Sequence, residues 1–127
     1  MNTPGLHHIN VTVSDLKQAK AFYGDLLGFK INDEYMEEYK FISFSVGTVD
    51  VYVMQHASTP AGDRFSEFRI GLDHLSFVAP SEEALNELAN KLLAAGVDTK
   101  GVETFVTGNK YIAFRDPDNI QLEYWLP

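Results

Sequence analysis

The chain has 127 residues, 45% of them hydrophobic, no cysteine, and a net charge of −8 from 10 basic and 18 acidic side chains. That length predicts one domain able to hold a core without disulfides, and the acidic balance excludes long-range attraction to nucleic acid or an anionic membrane. No apolar run approaches the ~18 residues of a membrane span, and Met1-Asn2-Thr3-Pro4-Gly5 lacks the basic start and apolar run of a signal peptide, so a cytoplasmic protein is expected.

The first strand is expected over Leu6 to Val13, where Ile9, Val11 and Val13 alternate with His8, Asn10 and Thr12. Ser14-Asp15 signals a helix N-cap. Leu16, Ala19, Phe22, Tyr23, Leu26 and Leu27 then recur at helical spacing up to Gly28. Phe29 to Tyr35 reads as a short strand. Phe41 to Val46 and Val49 to Met54 read as two more, joined by a turn at Gly47-Thr48. Residues 57–69, with Pro60, Gly62 and mixed charge, read as a connector.

The pattern then starts again. Leu72 to Val78 echoes Leu6 to Thr12, and His74 follows His8 by 66 positions (74 − 8). Ser81 with Glu82 and Glu83 opens a helix whose apolar stripe is Leu85, Leu88, Ala89, Leu92 and Leu93, and Gly96 closes it. Val97 to Val106 supplies a strand. Lys110-Tyr111-Ile112-Ala113-Phe114 echoes Lys40-Phe41-Ile42-Ser43-Phe44, Asp116-Pro117-Asp118-Asn119 is a turn, and Ile120 to Trp125 is the last strand. The expected fold class is therefore α+β. Two tandem βαβββ modules, 1–56 and 70–127, form a cleft-like curved mixed sheet with the helices outside, and the whole is one domain over 1–127.

Strand alternation sets His8 opposite Ile9 and Val11, His74 opposite Leu75 and Phe77, and Glu123 opposite Leu122 and Tyr124. All three polar residues then face away from the helices, into the cleft. Two imidazoles and a carboxylate converging there suit a divalent metal (Fe, Mn, Ni, Co or Zn) with positions left for substrate or water. His7 has the opposite parity and is expected on the helix side. Asn10, Tyr52, Tyr111 and Trp125 share the cleft parity and are the expected substrate contacts. Arg69 and Arg115 are the candidates for gripping an anion.

His8-Ile9-Asn10-Val11-Thr12-Val13-Ser14-Asp15-Leu16, with Ala21-Phe22-Tyr23 and Leu26-Leu27-Gly28-Phe29, resembles the opening of the vicinal oxygen chelate superfamily. Asp73-His74-Leu75, Phe114-Arg115-Asp116-Pro117-Asp118 and Leu122-Glu123 resemble its second-half signatures. The resemblance spans nearly the whole chain. It implies paired βαβββ modules, a metal held by His8, His74 and Glu123, and a homodimer whose sites can combine both chains. Glyoxalase-like members carry a fourth ligand on the strand matching Val49 to Met54, where this chain has Tyr52, with His56 beyond it. Extradiol dioxygenases place a His and a Tyr before the Asp-Pro turn; here no His follows His74, and Ala113 stands at the Tyr position. The functional expectation is a metal-dependent enzyme of the glyoxalase/dioxygenase type acting on a small oxygen-rich molecule, as isomerase, lyase, dioxygenase or transferase. The alternative is a non-catalytic binding protein of the antibiotic-binding type, using Asp50, Tyr52 and Trp125.

Overall fold

The computed structural model describes residues 1–127 and divides into two compact units, Met1–Asp63 and Arg64–Pro127. Together they make a mixed α+β fold with two open mixed sheets, one of three strands and one of four. No helix is long and apolar enough to cross a membrane.

Unit 1 begins with β1 (His8–Thr12). Asp15 then caps α1 (Leu16–Lys20), its Oδ1 accepting from Lys17 N at 2.8 Å and Gln18 N at 3.0 Å. The helix continues as a π-helical run over Ala21–Leu26 and stops at Gly28, whose φ of 84° a side chain would resist. Inside that run Gly24 admits Ile31: a Cβ on Gly24 would stand 2.9 Å from Ile31 Cγ1.

The strand expected over Phe29 to Tyr35 is a single antiparallel bridge, Asn32 to Ser43. Its brevity has a local cause. Asn32 Oδ1 accepts from Glu34 N at 3.1 Å, an Asx turn that ends the extension, and the chain folds at once into α2 (Met36–Tyr39). β2 (Phe41–Val46) and β3 (Val49–Met54) follow. The sheet order is β1-β3-β2, with β1 parallel and β2 antiparallel to β3.

Alternation sorts the two faces of this sheet. Val11, Ile42, Phe44, Val51 and Val53 are buried beneath Leu16, Ala19, Phe22 and Tyr23 of the helical segment. The other face carries His8, Asn10 and Thr12, beside Asp50, Tyr52 and Met54 in register.

Unit 2 has the fuller repeat: β4 (Leu75–Val78), α3 (Glu82–Ala94), β5 (Thr99–Thr104), β6 (Lys110–Arg115) and β7 (Gln121–Trp125). Ser81 caps α3, accepting from Ala84 N at 3.1 Å, with Glu82 and Glu83 in the first turn. The sheet order is β4-β7-β6-β5, parallel only between β4 and β7. Leu85, Ala89 and Leu92 bury against a face that includes Phe77, Ile112, Phe114 and Leu122. Complete burial of a side chain such as Leu122 contributes about 1.5–3 kcal/mol. The opposite face carries Ser76, Tyr111, Ala113 and Glu123, with Glu123 in register with both Ser76 and Ala113.

The connector over 57–69 is tied down at its end within unit 2. Phe65 N donates to Asp118 O at 3.0 Å and Asn119 Nδ2 donates to Phe65 O at 3.0 Å. Arg115 makes a two-pronged pair with Glu67, at 2.7 and 3.0 Å.

Candidate metal centre

In unit 2 the parallel pairing of β4 and β7 brings His74 and Glu123 together. His74 stands one residue ahead of β4, and its Nε2 lies 3.5 Å from Glu123 Oε2. Its other nitrogen is engaged: Nδ1 is 2.6 Å from Asp73 Oδ1. An ionised carboxylate only accepts, so with a neutral ring the proton of that bond sits on His74 Nδ1 and the Nε2 lone pair faces Glu123. Gln121 Nε2 is 3.5 Å from the second Glu123 oxygen. Glu123 is largely sheltered, its side chain 14% exposed against 37% for His74.

These two groups fit a shared cation. Donors at ~2.0–2.2 Å from one ion stand roughly 3.0–3.5 Å apart, depending on the coordination angle. An imidazole nitrogen and a carboxylate oxygen are also a donor set suited to first-row divalent metals. No group of three or more His, Asp or Glu side chains gathers to complete such a centre.

In unit 1, His8 opens β1 on the open sheet face. Its Nδ1 is 2.8 Å from His7 Nδ1, so one ring donates and the other accepts when both are neutral. Its ring packs edge-on against Tyr52, centroids 5.5 Å apart. His7 is not on the helix side: it precedes β1, so strand parity does not govern it, and it is exposed against His8. His56 is exposed, two residues past the end of β3.

The expected substrate contacts divide between the units. In unit 1, Asn10 Nδ2 reaches Met54 Sδ at 3.0 Å, and Tyr52 continues an aromatic row through Phe41 to Tyr35. In unit 2, Tyr111 stacks on Trp125 at 5.4 Å with Phe105 edge-on to both. Burial first, and the hydrogen-bonded Glu103 carboxylate second, raise the Tyr111 pKa. Both arginines have partners within the chain. Arg115 is committed to Glu67, which it holds down to a pKa of about 2, and Arg69 donates to the carbonyl of Arg64.

Two units of the βαβββ type, one with a sheltered carboxylate beside an imidazole on its open sheet face, make a fold of the vicinal oxygen chelate type. The family model Glyoxalase/Bleomycin resistance protein/Dioxygenase superfamily matches residues 5–124, and the chain belongs to that superfamily. It is 33% identical over 125 residues to the Bacillus subtilis (strain 168) protein YwkD, covering 94% of each chain. It is 32% identical over 99 residues to catechol-2,3-dioxygenase of the same organism, a match covering 76% of this chain but 34% of that enzyme. Among solved structures, the glyoxylase/bleomycin resistance protein/dioxygenase domain from Frankia sp. EAN1pec has 31% identity and a TM-score of 0.86, over 98% of this chain and 93% of that one.

Proposed function

We propose that the chain is a metal-dependent enzyme of this superfamily, in which His8, His74 and Glu123 hold one divalent ion (Fe, Mn, Ni, Co or Zn) before a small oxygen-rich substrate. The observation carrying this reading is the 3.5 Å approach of His74 Nε2 to Glu123 Oε2, with the far nitrogen of the ring already occupied by Asp73. His8 supplies the third donor, from the same chain or from a second copy in a homodimer. When bound, such an ion acts as a Lewis acid toward the substrate's oxygens. The chain's own part is to hold Glu123 through Gln121 and to flank the ligand with aromatic surface at Tyr52, Tyr111 and Trp125, beside Asn10. The reaction falls among isomerase, lyase, dioxygenase and transferase chemistry.

Metal analysis of protein purified without chelator tests the reading. Near-stoichiometric metal, and loss of at least about 100-fold in Zn²⁺ affinity in Glu123→Gln, are expected. A chain that arrives bare and binds none of the five ions ends it. Mixing His8→Ala and Glu123→Gln chains separates the two sources of His8: binding returns only if a site takes donors from two copies.

A second reading rests on the Tyr111–Trp125 stack. Such a surface suits a binding protein that holds a flat molecule without chemistry. Quenching of Trp125, the chain's one tryptophan, by aromatic ligands in the presence of chelator would favour it.

A further inference from the structure

The two candidate ligand histidines share a feature that strand alternation does not produce. Each has its Nδ1 against a side chain of the residue just before it. His74 Nδ1 is 2.6 Å from Asp73 Oδ1, and His8 Nδ1 is 2.8 Å from His7 Nδ1. Consecutive residues on a strand point to opposite faces. Here His7 and Asp73 both lie outside the regular strands, where the backbone is free to bring neighbours together. His7 is nevertheless fixed, its carbonyl accepting from Asp50 N at 3.2 Å.

We infer that His7 and Asp73 are positioning residues that set the tautomer of the histidine following them, keeping the proton on Nδ1 and leaving Nε2 bare. At His74 the chemistry is one-sided, because a carboxylate cannot donate: a neutral His74 bonded to Asp73 must carry its proton on Nδ1. At His8 two imidazoles share the bond. The arrangement matching that at His74 has His8 Nδ1–H donating to His7 Nδ1, with the second His7 proton on Nε2. In that arrangement both units present an imidazole whose exposed nitrogen is an electron-pair donor. The use of that donor for a metal rests on the function proposed above; the tautomer itself does not.

Asp73 has a side chain 69% exposed, and His7 is exposed, so substitutions at either test orientation without removing core packing. Long-range ¹H–¹⁵N spectra of metal-free protein at pH 8 distinguish a protonated ring nitrogen from a bare one. His8 and His74 are expected in the Nδ1–H form in the wild type. His74 should keep that form in Asp73→Asn, whose amide oxygen still accepts, and lose it in Asp73→Ala. His8 should keep it in His7→Gln and lose it in His7→Ala. Zn²⁺ titration is expected to show about 10- to 100-fold weaker binding in the two alanine variants, with Asn and Gln recovering part of the loss. Finding the Nε2–H form in the wild type, or unchanged ring spectra in both alanine variants, overturns the inference. A wild type that keeps the Nδ1–H form yet binds no Zn²⁺ supports the positioning and removes the metal reading alone.

Discussion

Tyr52 holds in unit 1 the register position that Glu123 holds in unit 2. Tyr52 pairs with Asn10, two residues after His8; Glu123 pairs with Ser76, two residues after His74. The duplication has put a phenol where its other copy has a carboxylate. A neutral phenol is a poor ligand, so this half lacks the donor that Glu123 supplies at the matching position. Tyr52→Glu should restore the missing donor beside His8 and tighten Zn²⁺ binding by about 10-fold or more, close to 1.4 kcal/mol. Tyr52→Phe is the control and should bind as the wild type does. Competition against a chelator of known affinity measures both. A Glu variant no tighter than the Phe variant would place residue 52 outside the coordination sphere.

The Glu67–Arg115 pair predicts a pH dependence. Arg115, donating from both Nη atoms, holds Glu67 to a pKa of about 2, below its ordinary 4.5. A carboxylate whose folded pKa is depressed stabilises the fold fully above its unfolded pKa, and that contribution disappears as pH falls through the folded one. Thermal unfolding of the wild type and Glu67→Gln should therefore differ most above pH 5. The gap should narrow between about pH 4.5 and pH 2 as the unfolded chain takes up the proton. A gap constant across that range would mean the pair does not link folding to pH.

Much of this was legible before any coordinates, for identifiable reasons. The helix starts were written in side chains that cap their own backbone, Asp15 and Ser81. The faces of β1 and β3 followed from strict alternation, which a one-residue slip would have inverted. His74 and Glu123 were placed on one face by parity, and the structure brings them together. What escaped depends on contacts alternation cannot carry. The Asx turn at Asn32 cut a strand to one bridge. Glu67 claimed Arg115 from 48 residues away, with no periodicity to announce it. The parity of β1 does not carry to His7, one residue before the strand begins, where the ring turns to meet His8. The adjacent pairs His7-His8 and Asp73-His74 were the available signal: a polar residue directly before a candidate ligand is placed to occupy its second nitrogen.

The turn leading into β7 makes the last prediction. Asp116, 4% exposed, is the buried charged residue of the chain. Its Oδ1 accepts from Asp118 N at 2.9 Å and from Ile120 N at 2.8 Å, closing the turn in which Asn119 takes a φ of 72°. Glu123 follows Ile120 by three residues, so the turn sets where β7 enters and where that carboxylate lands. Asp116→Ala leaves two backbone N–H groups without their acceptor and should cost about 2–4 kcal/mol. Asp116→Asn keeps an oxygen that can accept both and should cost less than half as much. Denaturant unfolding reads the two stabilities, and Zn²⁺ titration of the folded variants reads the effect on Glu123. Affinity should weaken in Asp116→Ala and hold in Asp116→Asn. Equal losses of stability in the two would assign the role of Asp116 to its charge instead of to the bonds it accepts.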